Sequence, residues 1–160
     1  MSLSDNHSLD TISPRLSGPN FDKAVPGAMT ALRNLGQAVS ETGLDKRLVE
    51  LLKIRVSQIN GCAYCLKLHL DWARQAGVPQ LQTDLVATWR DVACFDARER
   101  AALAWAERLT YMAVQHVGDD VYEQVRQQFS QTELAALTAA VANINAWNRI
   151  AGALRFPLPG

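Results

Sequence analysis

Residues 60–69 read Asn-Gly-Cys-Ala-Tyr-Cys-Leu-Lys-Leu-His, and the rest of the chain is predicted to be a helical scaffold for this stretch. The Asn-Gly pair is a strong signal for a helix end, because Gly is favoured just past the last turn of a helix. The residues that follow predict a new helix. On it Cys62, Cys65 and His69 fall at i, i+3 and i+7, so we expect all three on one face. Cys62 would lie in the first turn, where free backbone N–H groups and the helix dipole favour a thiolate.

A carboxylate upstream is placed to meet the histidine. Residues 45–59 are predicted to form a helix with an apolar stripe made by Leu48, Leu51, Leu52, Val56 and Ile59. If the two helices pack antiparallel about Gly61, Glu50 and His69 lie at depths of roughly 16 Å and 12 Å, at about 1.5 Å per residue. A relay from Glu50 to His69 to Cys65 follows if the helices pack in this way.

The surroundings of Glu50 leave two interpretations open. Its neighbours Leu51, Leu52 and Ile54 indicate burial, which would raise the pKa of the carboxyl group. Alternatively, Glu50 is exposed and paired with Lys46 or Lys53.

Dithiol chemistry needs such a relay because a lowered thiol pKa gains little by itself. Lowering a thiol pKa from about 8.5 to about 6 gives roughly 30-fold more thiolate at pH 7, but each thiolate is roughly 13-fold less nucleophilic. A positioned acid/base that moves the proton can add about 10² to 10⁴ to the rate. His69 and Glu50 are the candidates for that role.

Other uses of a Cys-x-x-Cys pair fit less well. With His69 it could form part of a metal site, but a structural zinc requires four ligands and no second Cys-x-x-Cys or His pair is present. Covalent haem attachment requires His directly after the second Cys, where this chain has Leu66. The βαβ pattern of a thioredoxin-type domain is missing. Two inert buried cysteines remain an alternative, which the in-line histidine makes less favourable.

The motif Glu50-x₁₁-Cys62-x-x-Cys65-x-x-x-His69 resembles the alkylhydroperoxidase D-like branch of the carboxymuconolactone decarboxylase superfamily. The flanks are similar too, with Arg-Val-Ser-Gln-Ile-Asn-Gly-Cys at 55–62 and Asn-Ala-Trp-Asn-Arg-Ile at 145–150, and the resemblance covers roughly residues 21–156.

The resemblance implies an all-helical fold, a homo-oligomer (a trimer or hexamer), and thiol-dependent reduction of hydroperoxides with no bound cofactor and no metal. It implies that Cys65 attacks the peroxide, that Cys62 resolves the product into a disulfide, and that Glu50 and His69 relay the proton. Electrons would come from a partner thiol protein of lipoyl or thioredoxin-like type. One departure is Tyr64, where the best-studied pattern has histidine; a phenol can donate a hydrogen bond but is rarely a base near neutral pH.

Composition excludes several classes of function. The 160 residues suit one domain, and 16 Lys plus Arg against 16 Asp plus Glu give no electrostatic basis for binding nucleic acid or an anionic membrane. No run reaches the length of a transmembrane span, and no signal peptide is recognised. Three cysteines suit a reducing compartment, so a cytoplasmic location is expected.

Residues 1–20, which include His7, are predicted to be a polar tail or an arm on a neighbour, followed by one domain at 21–160. Further helices are predicted at 21–39 with an early break near Pro26, at 81–93, at 96–112, at 118–129 and at 130–154. Capping boxes are predicted at Asp96 and Ser130. Cys94 is interpreted as a small buried apolar residue, and Trp147 as part of the core.

The sequence therefore predicts an all-α, single-domain helical bundle that reduces hydroperoxides through the Cys62/Cys65 dithiol. Two alternatives stay open. One is a lactone decarboxylase-like lyase of the same fold, whose chemistry does not depend on a Cys-x-x-Cys pair. The other is a redox-sensing or binding protein whose disulfide switches an interaction without useful turnover.

Overall fold

The computed structural model describes residues 13–160, and this part of the chain is helical, with no strand. The all-α prediction is confirmed. The helices are α1 Gly18–Ala24, α2 Ala28–Glu41, α3 Lys46–Ile59, α4 Ala63–Gln75, α5 Gln80–Leu85, α6 Ala97–Thr110, α7 Asp119–Gln128 and α8 Gln131–Trp147. A 3-10 helix, Val86–Asp91, follows α5, and a π-helical turn, Asn148–Gly152, follows α8.

Side-chain caps begin the main helices where the sequence predicts them. Asp45 accepts a hydrogen bond from the backbone N–H of Arg47 at 2.8 Å and starts α3. Asp96 starts α6 and Ser130 starts α8, each with a complete capping box. In each box the cap side chain accepts a hydrogen bond from the backbone N–H of the third helical residue, and the glutamate at that position accepts one from the backbone N–H of the cap. These caps satisfy N–H groups that a helix start would otherwise leave without partners.

The core is organised around α3, which packs against α4, α6 and α8. Side chains from these helices are almost completely buried, among them Leu51, Ile54, Val56, Leu103, Leu137 and Ile144. Because α3 is buried along most of its length, its polar residues must find partners inside the protein. This is the helix that carries Glu50.

A buried carboxylate on α6 fixes the opposite side of α3. Glu107 accepts hydrogen bonds from Arg55 at 2.6 Å, from Arg90 at 2.6 Å and from the Trp89 indole N–H at 3.0 Å. Burial alone would raise the pKa of Glu107, but the donors outweigh it and hold the pKa below its usual value. The cluster joins α3, α6 and the 3-10 helix, so it sets the position of α3.

Three segments differ in detail from the sequence prediction. Residues 21–39 were expected to form one helix with an early break, and the break at residues 25–27 separates α1 from α2. The helix expected at 81–93 is α only to Leu85 and then tightens into 3-10 geometry. The last helix changes at Asn148 into a π turn, which no propensity pattern signals.

The N-terminal segment lies against the C-terminal one. The backbone N–H groups of Arg15 and Leu16 donate to the Leu154 carbonyl at 3.1 and 3.0 Å, and the rings of Phe21 and Phe156 lie 6.2 Å apart. α1 therefore begins inside the predicted tail or arm of residues 1–20. Residues 1–12, with His7, lie outside the described residues. Within residues 13–160, no helix has the length and apolar character that a membrane span requires.

Candidate active site

The site begins at the sharp turn between α3 and α4. Gly61 adopts a left-handed φ of 64°, which glycine reaches at low cost. The backbone N–H of Cys62 then donates to the Ser57 carbonyl at 3.0 Å. This turn folds α4 back along α3, so the antiparallel arrangement inferred from the Asn-Gly signal is present, and side chains of the two helices meet.

The two cysteines lie in contact at the start of α4. Cys62 is the N-cap residue, and its Sγ accepts a hydrogen bond from the backbone N–H of Cys65 at 3.3 Å. The two Sγ atoms lie 2.7 Å apart, within hydrogen-bond distance. Both side chains are buried. Both thiols are free. Because the two residues are three positions apart at a helix N-cap, the local helix geometry is sufficient to bring them together.

Their contact separates the acidities of the two thiols. The hydrogen bond with the Cys65 side chain lowers the pKa of Cys62 to about 7; burial opposes this shift, and backbone N–H groups and the Asn148 side chain add to it. The same contact, followed by burial, raises the pKa of Cys65 above its usual value. The negative charge of the reduced pair is therefore held mainly on Cys62, at the N-cap, where the sequence predicts a thiolate to be favoured.

Glu50 and His69 meet across the α3–α4 contact. His69 Nδ1 lies 2.7 Å from Glu50 Oε2, and both side chains are buried. A carboxylate only accepts hydrogen bonds, so Nδ1 carries the hydrogen and Nε2 is left as an acceptor. Burial lowers the pKa of His69 despite the neighbouring carboxylate, so the ring is neutral near pH 7. The Trp72 ring packs edge-on against it, with centroids 5.2 Å apart.

The expected raised pKa of Glu50 is wrong. Burial does act in that direction and is the largest single effect, but the hydrogen bond with His69 and the positive charge of Lys53 together outweigh it and lower the pKa. Lys53 Nζ lies 3.2 Å from Glu50 Oε1. The two interpretations of Glu50 were thus each half right, because the residue is buried and is also paired with Lys53.

A cavity of about 810 Å³ opens beside this group. Glu50, Tyr64, Cys65 and His69 lie in its wall, and among the described residues the wall includes Cys65 but not Cys62. Tyr64 also packs edge-on against Phe156, with ring centroids 5.6 Å apart. A small molecule in the cavity would therefore meet the Cys65 sulfur first.

An asparagine cluster at the end of α8 supports the cysteines from behind. Asn60 donates to the side-chain oxygens of Asn145 at 3.0 Å and Asn148 at 2.9 Å, and Asn148 donates to Ser57 Oγ at 3.1 Å. Asn148 is buried and also hydrogen-bonds with Cys62, which lowers the thiol pKa. The sequence signal for such a contact is the poor propensity of Asn for a helix interior.

The π turn that carries Asn148 also brings a glycine onto the first cysteine. A Cβ placed on Gly152 would lie 3.4 Å from Cys62 Cβ and 3.7 Å from its Sγ. The thiol is thus enclosed on this side, which is consistent with its separation from the cavity. Nothing local in the sequence marks Gly152, because the contact depends on the change of helical register.

The burial predicted for Cys94 and Trp147 is only partial. Cys94 is half-buried, and Trp147 is partly buried and lines the cavity in addition to packing against the core. In the range 13–160, no cluster of three or more His, Cys, Asp or Glu side chains is arranged to hold a metal ion.

The comparison with known proteins agrees with this geometry. The sequence profile of the carboxymuconolactone decarboxylase family matches residues 26–108, which include Glu50, both cysteines and His69. The chain belongs to the carboxymuconolactone decarboxylase family. Asn148 and Gly152 lie outside the matched range.

Two relatives are similar over most of the chain, and a third is similar over a shorter stretch. A protein of unknown function from Agrobacterium tumefaciens, described as a putative antioxidant defence protein AhpD, is 36% identical with a TM-score of 0.86 and covers 92% of this chain and 99% of its own. The uncharacterized protein YdfG of Bacillus subtilis is 29% identical over 84% of this chain and 92% of its own. Alkyl hydroperoxide reductase AhpD of Nocardia farcinica is 48% identical over 26% of this chain and 24% of its own. These similarities place the chain among AhpD-like members of the family.

Proposed function

We propose that this protein is a thiol-dependent peroxidase that reduces organic hydroperoxides with the Cys62/Cys65 dithiol. One observation carries the proposal: two thiols lie in hydrogen-bond contact, and one of them, Cys65, lines a cavity together with the buried Glu50–His69 pair. Similarity to an alkyl hydroperoxide reductase AhpD supports the same reaction. A lyase of this fold would have no use for the paired thiols.

The accessible cysteine and the more acidic cysteine are not the same residue, and we assign the attack on the peroxide by accessibility. The hydrogen bonds favour the resting thiolate on Cys62, but Cys62 is closed off by Gly152 and is not part of the cavity wall. A peroxide in the cavity meets Cys65. We therefore assign the attack to Cys65, and the raised pKa of that thiol is the reason why a base must remove its proton.

The neutral His69 supplies the base. Its Nδ1–H donates to Glu50, which leaves Nε2 free to take the proton from Cys65, one helical turn earlier on α4. The carboxylate then stabilises the imidazolium that forms. Despite burial, the hydrogen bond with His69 and the charge of Lys53 keep Glu50 ionised, so its carboxylate offsets the positive charge that the proton brings to His69.

The electrons balance over two steps. Cys65 sulfur bonds to the terminal oxygen of the hydroperoxide while the O–O bond breaks; the sulfur is oxidised to a sulfenic acid and the alcohol leaves with the proton returned by His69. Cys62 thiolate then attacks the Cys65 sulfur, the S–S bond forms, and the oxygen leaves as hydroxide, which takes up a proton from solvent to become water. The thiolate already lies 2.7 Å from that sulfur in the reduced pair.

An external dithiol must return the two electrons by thiol–disulfide exchange. A partner of lipoyl or thioredoxin-like type is proposed for this role. Assembly as a homo-oligomer, a trimer or hexamer, is likewise proposed, on the strength of the family resemblance.

The test is oxidation followed by turnover. One equivalent of a hydroperoxide should remove two hydrogens from the peptide that contains Cys62 and Cys65, as measured by mass spectrometry. In the Cys62→Ser variant the product should be a sulfenic acid on Cys65, and in Cys65→Ser the fast reaction should disappear. Oxidation confined to Cys94, or a faster reaction at Cys62, contradicts the assigned roles.

Turnover distinguishes a peroxidase from a redox sensor. The protein with excess hydroperoxide should consume it continuously when dihydrolipoamide or a reduced thioredoxin is supplied. A single oxidation without continued consumption under any dithiol donor would favour the sensor, and lactone decarboxylation by the Cys62→Ser/Cys65→Ser variant would favour the lyase.

A further inference from the structure

The cavity wall carries information about the substrate that the cysteines do not. We propose, building on the function above, that the cavity binds a bulky, largely apolar organic hydroperoxide that carries a carboxylate group. Two independent features support this substrate class: the size of the cavity and the charges along it.

The cavity is far larger than hydrogen peroxide requires. Its volume of about 810 Å³ lies within the roughly 300–1,000 Å³ typical of sites for organic ligands, whereas a molecule the size of water needs about 30 Å³. Much of the wall is apolar, including Leu32, Leu68, Ile144 and Trp147. An extended apolar ligand would remove this surface from water, which is favourable, and hydrogen peroxide would not.

The charges along the wall are asymmetric. Glu50 is the acidic residue of the wall, and it is already paired with Lys53 and His69. Arg33 on α2 and Lys46 at the start of α3 also belong to the wall. Both are exposed, and within residues 13–160 neither has a salt bridge or a side-chain hydrogen bond.

The acidic residues nearest to Lys46 along the chain have other hydrogen-bond or salt-bridge partners. Asp45 is engaged by Arg47 and by the start of α3, and Glu41 accepts a hydrogen bond from Gln37. Two cations without acidic partners on the exposed part of an apolar cavity match a ligand with an apolar body and an anionic end. A carboxylate is the simplest such end for an organic hydroperoxide.

Binding can be measured apart from catalysis with unreactive ligands. Decanoate and decanol share the same apolar chain and differ in charge, and both can be titrated against the fluorescence of Trp72 and Trp147. We expect decanoate to bind the wild type about tenfold more tightly than decanol, since two exposed ionic contacts are each worth a few-fold. The Arg33→Gln/Lys46→Gln variant should lose this preference.

A matched variant controls for the loss of two positive charges. Lys23→Gln/Arg155→Gln removes the same charge from exposed positions outside the cavity wall and should keep the preference for decanoate. Equal binding of decanoate and decanol by the wild type overturns the charge argument. If both double variants lose the preference for decanoate equally, the charge argument is also overturned. That result would show that the preference depends on the overall charge of the protein and not on a local site.

Turnover then separates this inference from the proposed function. A long-chain fatty acid hydroperoxide should show a kcat/KM about tenfold above that of its methyl ester, with the difference in KM, and the Arg33→Gln/Lys46→Gln variant should equalise them. Turnover with no preference for the acid overturns the substrate class and leaves the peroxidase intact. Charge-dependent decanoate binding without any turnover overturns the peroxidase and leaves the ligand class intact.

Discussion

The acidity of the paired thiols is the property of this site that can be predicted most directly. Cys62 is expected to titrate at about pH 7 because the Cys65 thiol is its largest stabilising contact. Replacing Cys65 by alanine removes this donor and leaves burial as the largest remaining effect, which raises the pKa against the smaller effects of the backbone N–H groups and Asn148. The pKa of Cys62 should then return to about 8.5 or above, the ordinary range of a free thiol.

The change corresponds to a large difference in thiolate. At pH 7 about half of Cys62 is ionised when its pKa is about 7, and about 3% when its pKa is about 8.5. A serine at position 65 keeps a hydroxyl donor, so the Cys65→Ser variant should titrate between the two. The order wild type, Cys65→Ser, Cys65→Ala is the signature of a donor effect, since a simple cavity would not rank them in this way.

Thiolate absorbance in the ultraviolet, followed against pH on the reduced protein, measures these values. All variants should carry Cys94→Ser, so that the third cysteine does not contribute. The Cys62→Ser variant should show no transition near pH 7. A wild-type midpoint near 8.5, a Cys65→Ala midpoint that stays near 7, or a transition near 7 that survives in Cys62→Ser would each refute the reasoning.

Four further outcomes are expected. Glu50→Gln and His69→Ala should each slow peroxide reduction by about 10² or more. The double variant should lose little more rate than either single variant, because the two residues act as one unit. Stopped-flow thiol oxidation measures these rates, and additive losses would contradict the relay. The stability of the folded protein should decline as the pH falls below about 6.5, because folding lowers the pKa of His69 and the unfolded chain takes up the proton first. It should decline again below about 4.5, because folding also lowers the pKa of Glu50. Thermal melts at a series of pH values measure both declines, and the His69→Gln variant should lose the decline that begins at about pH 6.5. Gly152→Ala should be neutral or slightly stabilising, since its Cβ would make ordinary contact with Cys62, whereas Gly152→Val should destabilise the protein by about 1–3 kcal/mol in denaturant unfolding. Sedimentation should give a mass well above 17.6 kDa, and a monomer would remove the homo-oligomer from the proposal.

Much of the fold and of the site follows from local sequence. Asn60-Gly61 ends α3, the caps at Asp45, Asp96 and Ser130 start three helices, and i, i+3 spacing brings Cys62 against Cys65. These features depend on residues within a few positions of each other, so pattern reasoning reaches them. Even the meeting of Glu50 and His69 follows from helix rise once the turn at Gly61 is inferred.

Tertiary structure alone decided the balance of forces at each group. Burial and paired charges act on the pKa of Glu50 in opposite directions, and only the distances to His69 and Lys53 show which is larger. The π turn that brings Asn148 and Gly152 to Cys62 depends on packing between the ends of α8 and α4, which no local preference encodes.

The cavity is likewise a property of the folded chain. Its wall combines residues from α2, α3, α4 and α8, so the placing of the charges and of Cys65 in one cavity appears only after these helices pack. Sequence thus determined which side chains could react, because the members of each reactive pair, Cys62 with Cys65 and Glu50 with His69, are close along the chain. Packing determined which sulfur a substrate can reach, because access depends on surfaces that are far apart along it.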